Sequence, residues 1–263
     1  MLFRSIIDGG PVKFLEQNLL RFPQAMSASS VYGSAIHKAL EDTYIITKKD
    51  GNVPTLQTIT EVFNKELKRG RLTQSDEKKF KDRGEKALKQ YYELKKNFIT
   101  GNSTVELNFA KQSVMVDGAL LTGKIDQIVE GADKAWIVTD LKTGKGFSAW
   151  EENGMSDYEE LKLHHYRHQL MMYKILVENS RDYSDRTVTS GILEFVEEVD
   201  GDTIQSLALS FGDTSSKAEL ERTKDLAVAV YKKIVMLDFP DTNDYPKTLE
   251  GIRTFEDDVL AGL

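Results

Sequence analysis

The sequence predicts an α/β fold of the α+β kind, with helices gathered in the first third and strands in the middle. Three observations predict it. Apolar residues recur at helical spacing up to about residue 97, alternation sets in after Gly101, and helical periodicity returns from residue 157.

Residues 13–22 read as a short amphipathic helix ended by Pro23. The stretch SASSVYGSAIHKALEDTYIITKK (27–49) opens on serines suited to an N-cap. Ile36, Leu40 and Thr43 then follow at helical spacing, as do His37, Glu41 and Tyr44, until Gly51 and Pro54 break the helix. A second helix is expected over 55–69 on the stripe Leu56, Ile59, Val62, Phe63 and Leu67. A third is expected over 75–97, marked by Phe80, Leu88, Tyr91, Tyr92 and Leu94. TVELNFA (104–110) alternates as a strand does. SVMVDGALLTGKIDQIVE (113–130) reads as two strands joined at Asp117–Gly118, a hairpin dipeptide. A turn at 131–134 leads into AWIVTDLKT (135–143), which gives about four antiparallel strands in meander order. A long helix over 157–179, strands near 187–196 and 203–210, a helix over 215–237 and one short helix within 240–263 complete the chain.

There is no repeat or low-complexity tract, and five prolines mark no interdomain linker. The chain therefore reads as one domain, 1–263: a mainly helical part over 1–100 that carries His37, a core over 101–237, and a C-terminal tail over 238–263.

The absence of cysteine excludes disulfides, thiolate zinc sites, an Fe–S cluster and cysteine nucleophiles together, and fits a reducing, cytoplasmic setting. No apolar run approaches the ~18 residues of a membrane helix, so no membrane partner is expected. MLFRSIIDGG at the start has one Arg and no long apolar stretch after it, unlike a signal peptide. The net charge of −7 counts against a molecule-wide basic field for nucleic acid. Acidic metal sites contribute negative charge that bound cations offset. Local basic stretches also exist at 65–71, 78–89 and 162–168, although each could equally be a solvated helix face.

The chemistry concentrates around the turn at 131–134. In the favoured register, Asp126 lies directly opposite Asp140. Two carboxylates facing each other destabilise a sheet unless something neutralises them, and Mg²⁺ or Mn²⁺ is a natural partner for oxygen ligands. Lys142 stands two residues beyond Asp140, on the same face of the strand. An ammonium there is placed to orient a water or stabilise charge on a phosphate. Glu106, on the preceding strand, lies within reach of the same place.

With these residues in view, the chain resembles the PD-(D/E)xK nuclease superfamily, in particular its RecB-like branch. VYGSAIHKALE (31–41) resembles the helical G-x-x-x-H-x-x-L-E motif at Gly33, His37, Leu40 and Glu41. LTGKIDQI (121–128) resembles G-x-[IV]-D, VTDLKTGK (138–145) resembles D-x-K-T-G, and HQLMMYKILV (168–177) resembles Q-L-x-x-Y-x-x-L. Each motif alone is weak, but their order and spacing are family-like. The resemblance implies a restriction-endonuclease-like core, a mixed central sheet flanked by helices. It implies His37, Asp126, Asp140 and the main-chain carbonyl of Leu141 as metal ligands, and Lys142 as the catalytic lysine. Gln169 and Tyr173, one turn apart on one helix face, match residues that position the lysine or the substrate.

Glu41 is expected to support His37, with a surface charge as the alternative, and Lys162 and Arg167 to hold a strand by its phosphates. His164, His165 and His168 are expected to face solvent or phosphate, with a second metal site there as the alternative.

The reading this supports is hydrolysis of a DNA phosphodiester with Mg²⁺ or Mn²⁺, as an exonuclease or end-processing enzyme of repair and recombination. The resemblance adds a helicase motor, in cis or in trans, as a candidate partner. Two other classes stay open: a degenerate DNA-binding or scaffolding domain of the same fold, and a hydrolase of small phosphate esters that would need a closed pocket.

Overall fold

The computed structural model describes residues 26–151, 154–238, 241 and 245–262. The helix expected over 13–22 lies outside the described residues.

Helix α1 (Ala28–Asp50) starts where Ser27 accepts the amide of Ser30 and stops where Gly51 turns left-handed at φ 74°. The capping serines and the glycine break expected there both operate. Helix α2 (Leu56–Arg69) buries Ile59, Phe63 and Leu67. Helix α3 (Gln74–Lys95) buries Phe80, Gly84, Leu88 and Tyr91. Gly84 is what lets α2 and α3 approach, since a β-carbon there would stand 2.1 Å from the ring of Phe63. Tyr32 of α1 stacks on Phe80, with ring centroids 5.1 Å apart, and meets Phe63 edge-on.

The central sheet runs in the order β1 (Ser103–Asn108), β4 (Lys124–Glu130), β5 (Ala135–Lys142), β6 (Thr187–Asp200), β7 (Thr203–Ser210). It is mixed, because β5 and β6 are parallel and the other neighbours antiparallel. A parallel pair needs a long crossover, and helix α4 (Asp157–Glu178) supplies it. The four-strand meander expected from the sequence is corrected. Strands β2 (Val114–Val116) and β3 (Ala119–Leu121) form their own hairpin at Asp117–Gly118, and β4 pairs back to β1. Gly123 separates hairpin from strand. A β-carbon there would stand 2.5 Å from Leu176 of α4, so the chain passes tight against that helix.

The sheet separates two apolar layers. Trp136, Val138, Leu193 and Leu207 pack with Leu170, Met171 and Leu176 of α4 on one face. Leu141, Val196 and Ile204 pack with α1, α2 and α3 on the other. Helix α5 (Thr214–Met236) joins the first layer through Leu220 and Val228. Helix α6 (Leu249–Ala261) packs on α5 through Phe255 and Val259, against Leu226 and Val230. Among the described residues no helix is long and apolar enough to cross a membrane.

Candidate active site

Strand β5 delivers two side chains of the site by simple alternation. Trp136 and Val138 face α4, and Asp140 and Lys142 continue that face to the strand's end. Leu141 turns the other way, into the layer of the N-terminal helices. Asp140 is only 2% exposed, so its charge needs partners within the protein. Helix α4 provides them. Gln169 Nε2 and the Tyr173 hydroxyl each donate to Asp140 Oδ1 at 2.6 Å, and Gln169 Nε2 lies 3.0 Å from the Tyr173 oxygen. Lys142 Nζ forms an ion pair with Asp140 Oδ2 at 2.5 Å and donates to Gln169 Oε1 at 2.7 Å. Among the described residues, Asp140 Oδ2 accepts no hydrogen bond beyond that ion-pair contact. The ammonium also sits 4.2 Å above the ring of Tyr166. Burial, followed by the charges of Asp140 and Asp126, holds the Tyr173 hydroxyl well above its usual range, so it remains a donor.

Strand β4 delivers Asp126. The register places Gln127 opposite Thr139 and Ile128 opposite Val138, the alignment that the sequence favoured. One step further, the ladder gives way to a side-chain bond in which the Leu141 amide donates to Asp126 Oδ2 at 3.1 Å. His37 of α1 arrives from the opposite layer, with Nδ1 3.4 Å from the same oxygen. Burial raises the Asp126 carboxyl to about 6. Asp140 adds to the rise, while His37, the Leu141 amide and Lys142 oppose it.

Glu106 joins this group more closely than its place in the sequence suggested. Val105 faces Gln127 and Leu107 faces Ile125, so Glu106 stands beside Asp126. Its own backbone is left-handed at φ 56° and drops out of the ladder. That conformation costs a non-glycine residue about 1–2 kcal/mol, and such strain gathers at functional sites. Donor atoms of His37, Glu106 and Asp126 all lie within 4.8 Å of one another. One imidazole and two carboxylates suit a divalent ion. Burial, and after it the charge of Asp140, disfavours the ionised Asp126 carboxyl, and a bound cation would favour it. Lys124 also pairs with Glu106. The signal for Glu106 in the sequence was the pairing of β1 with β4, which the intervening hairpin hid.

Gly33 and Gly123 of the motifs stand where a side chain would be crowded. A β-carbon at Gly33 would stand 3.3 Å from Thr143 Oγ1, so this glycine lets α1 approach the end of β5 and bring His37 along. Glu197 of β6 fastens the loop beyond Lys142. It accepts the Gly144 amide at 2.8 Å and two bonds from Arg83 of α3, at 2.5 and 3.0 Å.

The structure thus brings His37 to Asp126, and Asp140 to Lys142, Gln169 and Tyr173, with the Leu141 amide joining the two groups. Three expectations are corrected. Glu41 pairs with Lys38 at 3.0 Å rather than supporting His37. Arg167 is held by Glu219 at 2.6 Å, whereas Lys162 lies over Phe147 and Tyr166 at 5.4 and 5.6 Å. Burial and then the nearby Lys142 lower the Lys162 ammonium. His164 and His168 turn inward onto Glu256, because α6 covers that side of α4. Burial pushes His168 down to about 4.

Beside the site, a cavity of about 380 Å³ is lined by Lys145, Phe147, Met155, Glu159 and Gln205 among others. Asp126, Asp140 and Lys142 are not among its lining residues.

The sequence pattern that this fold and cluster carry is that of a nuclease-type domain. The chain belongs to the PD-(D/E)XK nuclease superfamily, whose sequence pattern it matches over residues 9–244. The crystal structure of SSO0001 is similar at 17% identity, covering 87% of this chain and 84% of that one, with a TM-score of 0.31. No curated protein matches the chain.

Proposed function

We propose that this chain is a divalent-metal-dependent deoxyribonuclease of the RecB-like branch, acting as an exonuclease or end-processing enzyme in repair and recombination. The observation that carries the reading is the junction at the end of β5. There the Asp126 oxygen that accepts the Leu141 amide also meets His37, one residue away from the Asp140–Lys142 ion pair.

His37, Asp126, Asp140 and the Leu141 carbonyl are the proposed metal ligands, and Glu106 is added as a further carboxylate within reach. When bound, Mg²⁺ or Mn²⁺ supplies the positive charge that polarises a phosphate and favours ionisation of water. Lys142 presents its ammonium to the attacking water or to the charge developing on the phosphate. Gln169 holds Lys142 through Oε1 and Asp140 through Nε2, which sets the spacing of carboxylate and lysine. Tyr173 donates to Asp140 and keeps one of its oxygens directed at helix α4. Lys162, with an aromatic face beneath it, is proposed to take a neighbouring phosphate. No base-reading element is evident, so cleavage is expected to be independent of sequence. A helicase motor, in cis or in trans, is the partner this reading favours, and the cytoplasm its setting.

End-labelled single- and double-stranded DNA, incubated with Mg²⁺ or Mn²⁺, tests the proposal. Cleavage by the wild type that EDTA abolishes and Asp140→Ala removes is the expected result. No cleavage with either ion would favour the degenerate DNA-binding domain. Turnover of a chromogenic phosphate ester in preference to DNA would favour a small-ester hydrolase.

A further inference from the structure

A second cluster of metal-type donors lies on α4, on residues the proposed reaction does not use. His164 and His168 are one helical turn apart on one face, with ring centroids 4.3 Å apart. Glu256 of α6 points its carboxylate at both. Oε1 is 2.8 Å from His164 Nε2 and 3.7 Å from His168 Nδ1, and donor atoms of all three lie within 4.8 Å of one another. The side chains are 9%, 8% and 1% exposed, respectively.

We propose that His164, His168 and Glu256 form a second metal site, for Zn²⁺ or a similar borderline transition ion, which fastens α6 to α4. Donors bound at about 2.0–2.1 Å to a tetrahedral ion lie roughly 3.3 Å from each other. The two observed separations, 2.8 and 3.7 Å, bracket that value. Two imidazole nitrogens and one carboxylate oxygen form a zinc-type donor set, whereas Mg²⁺ prefers oxygen throughout. Arg222 lies 3.6 Å from the other Glu256 oxygen and 2.7 Å from Asp257, so it orients the carboxylate and leaves Oε1 for the histidines. The three donors come from two helices far apart in the chain, so an ion here closes a long loop. His168 directly precedes Gln169, which places the clamp on the helix that supports Asp140 and Lys142.

The test uses the full chain carrying Asp126→Asn and Asp140→Asn, which removes carboxylates from the proposed nuclease site and leaves this cluster intact. The protein is stripped with chelator and titrated with Zn²⁺ by calorimetry, and with Co²⁺ by visible absorption. The expected result is one equivalent bound and the intense visible band of four-coordinate Co²⁺. Adding His164→Ala or Glu256→Gln should remove the band and weaken Zn²⁺ binding by more than about 100-fold. The Co²⁺ measurement needs no change in the cluster, so it does not depend on those variants folding. A background protein that binds no stoichiometric ion and shows no band would overturn the proposal. So would binding that His164→Ala leaves unchanged. Neither readout involves DNA cleavage, so the outcome is separate from that of the nuclease proposal.

Discussion

Asp126 Oδ2 accepts the amide hydrogen of Leu141 at 3.1 Å, one residue beyond the last backbone pair between β4 and β5. The ladder ends one step before it would bring two carboxylates face to face, and a side chain accepts the amide beyond. The bond satisfies a backbone donor at a strand end and holds Asp126 in the charge field of Asp140. Four predictions follow from this junction and from what surrounds it.

The first concerns pH. Folding raises the Asp126 carboxyl from its ordinary 3.8 to about 6, chiefly through burial and then through Asp140. The protonated form is therefore favoured in the folded state. Its contribution to stability is complete below 3.8 and is lost as pH rises through about 6. Above that, the metal-free protein carries the cost of an ionised, buried carboxyl beside Asp140. Asp126→Asn should raise the unfolding temperature of the metal-free protein at neutral pH, and the gain should vanish as the pH approaches 4. Scanning calorimetry in EDTA measures both ends, and a lower unfolding temperature for the variant at neutral pH would refute the assignment.

Lys142→Ala removes the only ammonium that touches Asp140 among the described residues. If Lys142 stabilises charge that develops in the transition state, the rate of DNA cleavage should fall by about 100- to 1,000-fold. DNA affinity, read by fluorescence anisotropy in Ca²⁺, should change little. An equal loss in affinity and rate would make Lys142 a binding residue instead.

Gln169 and Tyr173 act on the same carboxylate oxygen and on each other. Tyr173→Phe should destabilise the protein by about 1–2 kcal/mol, since a buried acceptor loses a donor. Gln169→Ala should lower cleavage by about 10- to 100-fold, because two reacting groups lose their common support. In a double-mutant cycle on unfolding free energy, the two substitutions should be coupled by about 0.5–3 kcal/mol. Simple additivity would show that each supports Asp140 independently.

Glu197 ties the Gly144 amide to Arg83 of the helical layer. Glu197→Ala leaves both donors without this acceptor and should cost about 1–3 kcal/mol in denaturant unfolding. Cleavage should fall as well, because the loop carrying Thr143 and Gly144 loses its anchor. Glu197→Gln keeps an acceptor for Gly144 and should recover most of the activity. If alanine and glutamine behave alike, the charge of Glu197 matters and the amide bond does not.

Much of this fold was legible in order along the chain. The N-cap serine at residue 27, the break at Gly51 and the stripe Ile59, Phe63, Leu67 act through neighbours within a few residues. So does the hairpin at Asp117–Gly118. The register of β4 on β5 was legible for the same reason, since a tight turn joins them. The meander failed because a hairpin interrupts it. Nothing local in β4 says whether it pairs with β3, next to it in sequence, or with β1, which is farther away.

The sequence by itself determined the three helices between residues 28 and 95, the family motifs and the common face of Asp140 and Lys142, because backbone periodicity and turn chemistry are short-range. Only the tertiary structure decided which side chains meet. It turned Glu106 toward His37 and Asp126 through a left-handed residue inside a strand. It gave Glu41 to Lys38 and Arg167 to Glu219. It carried Glu256, from a segment read as a tail, onto two histidines expected in solvent. A buried charge takes whichever partner the packed layers place within reach, and that choice is made by distances between elements rather than by spacing along the chain.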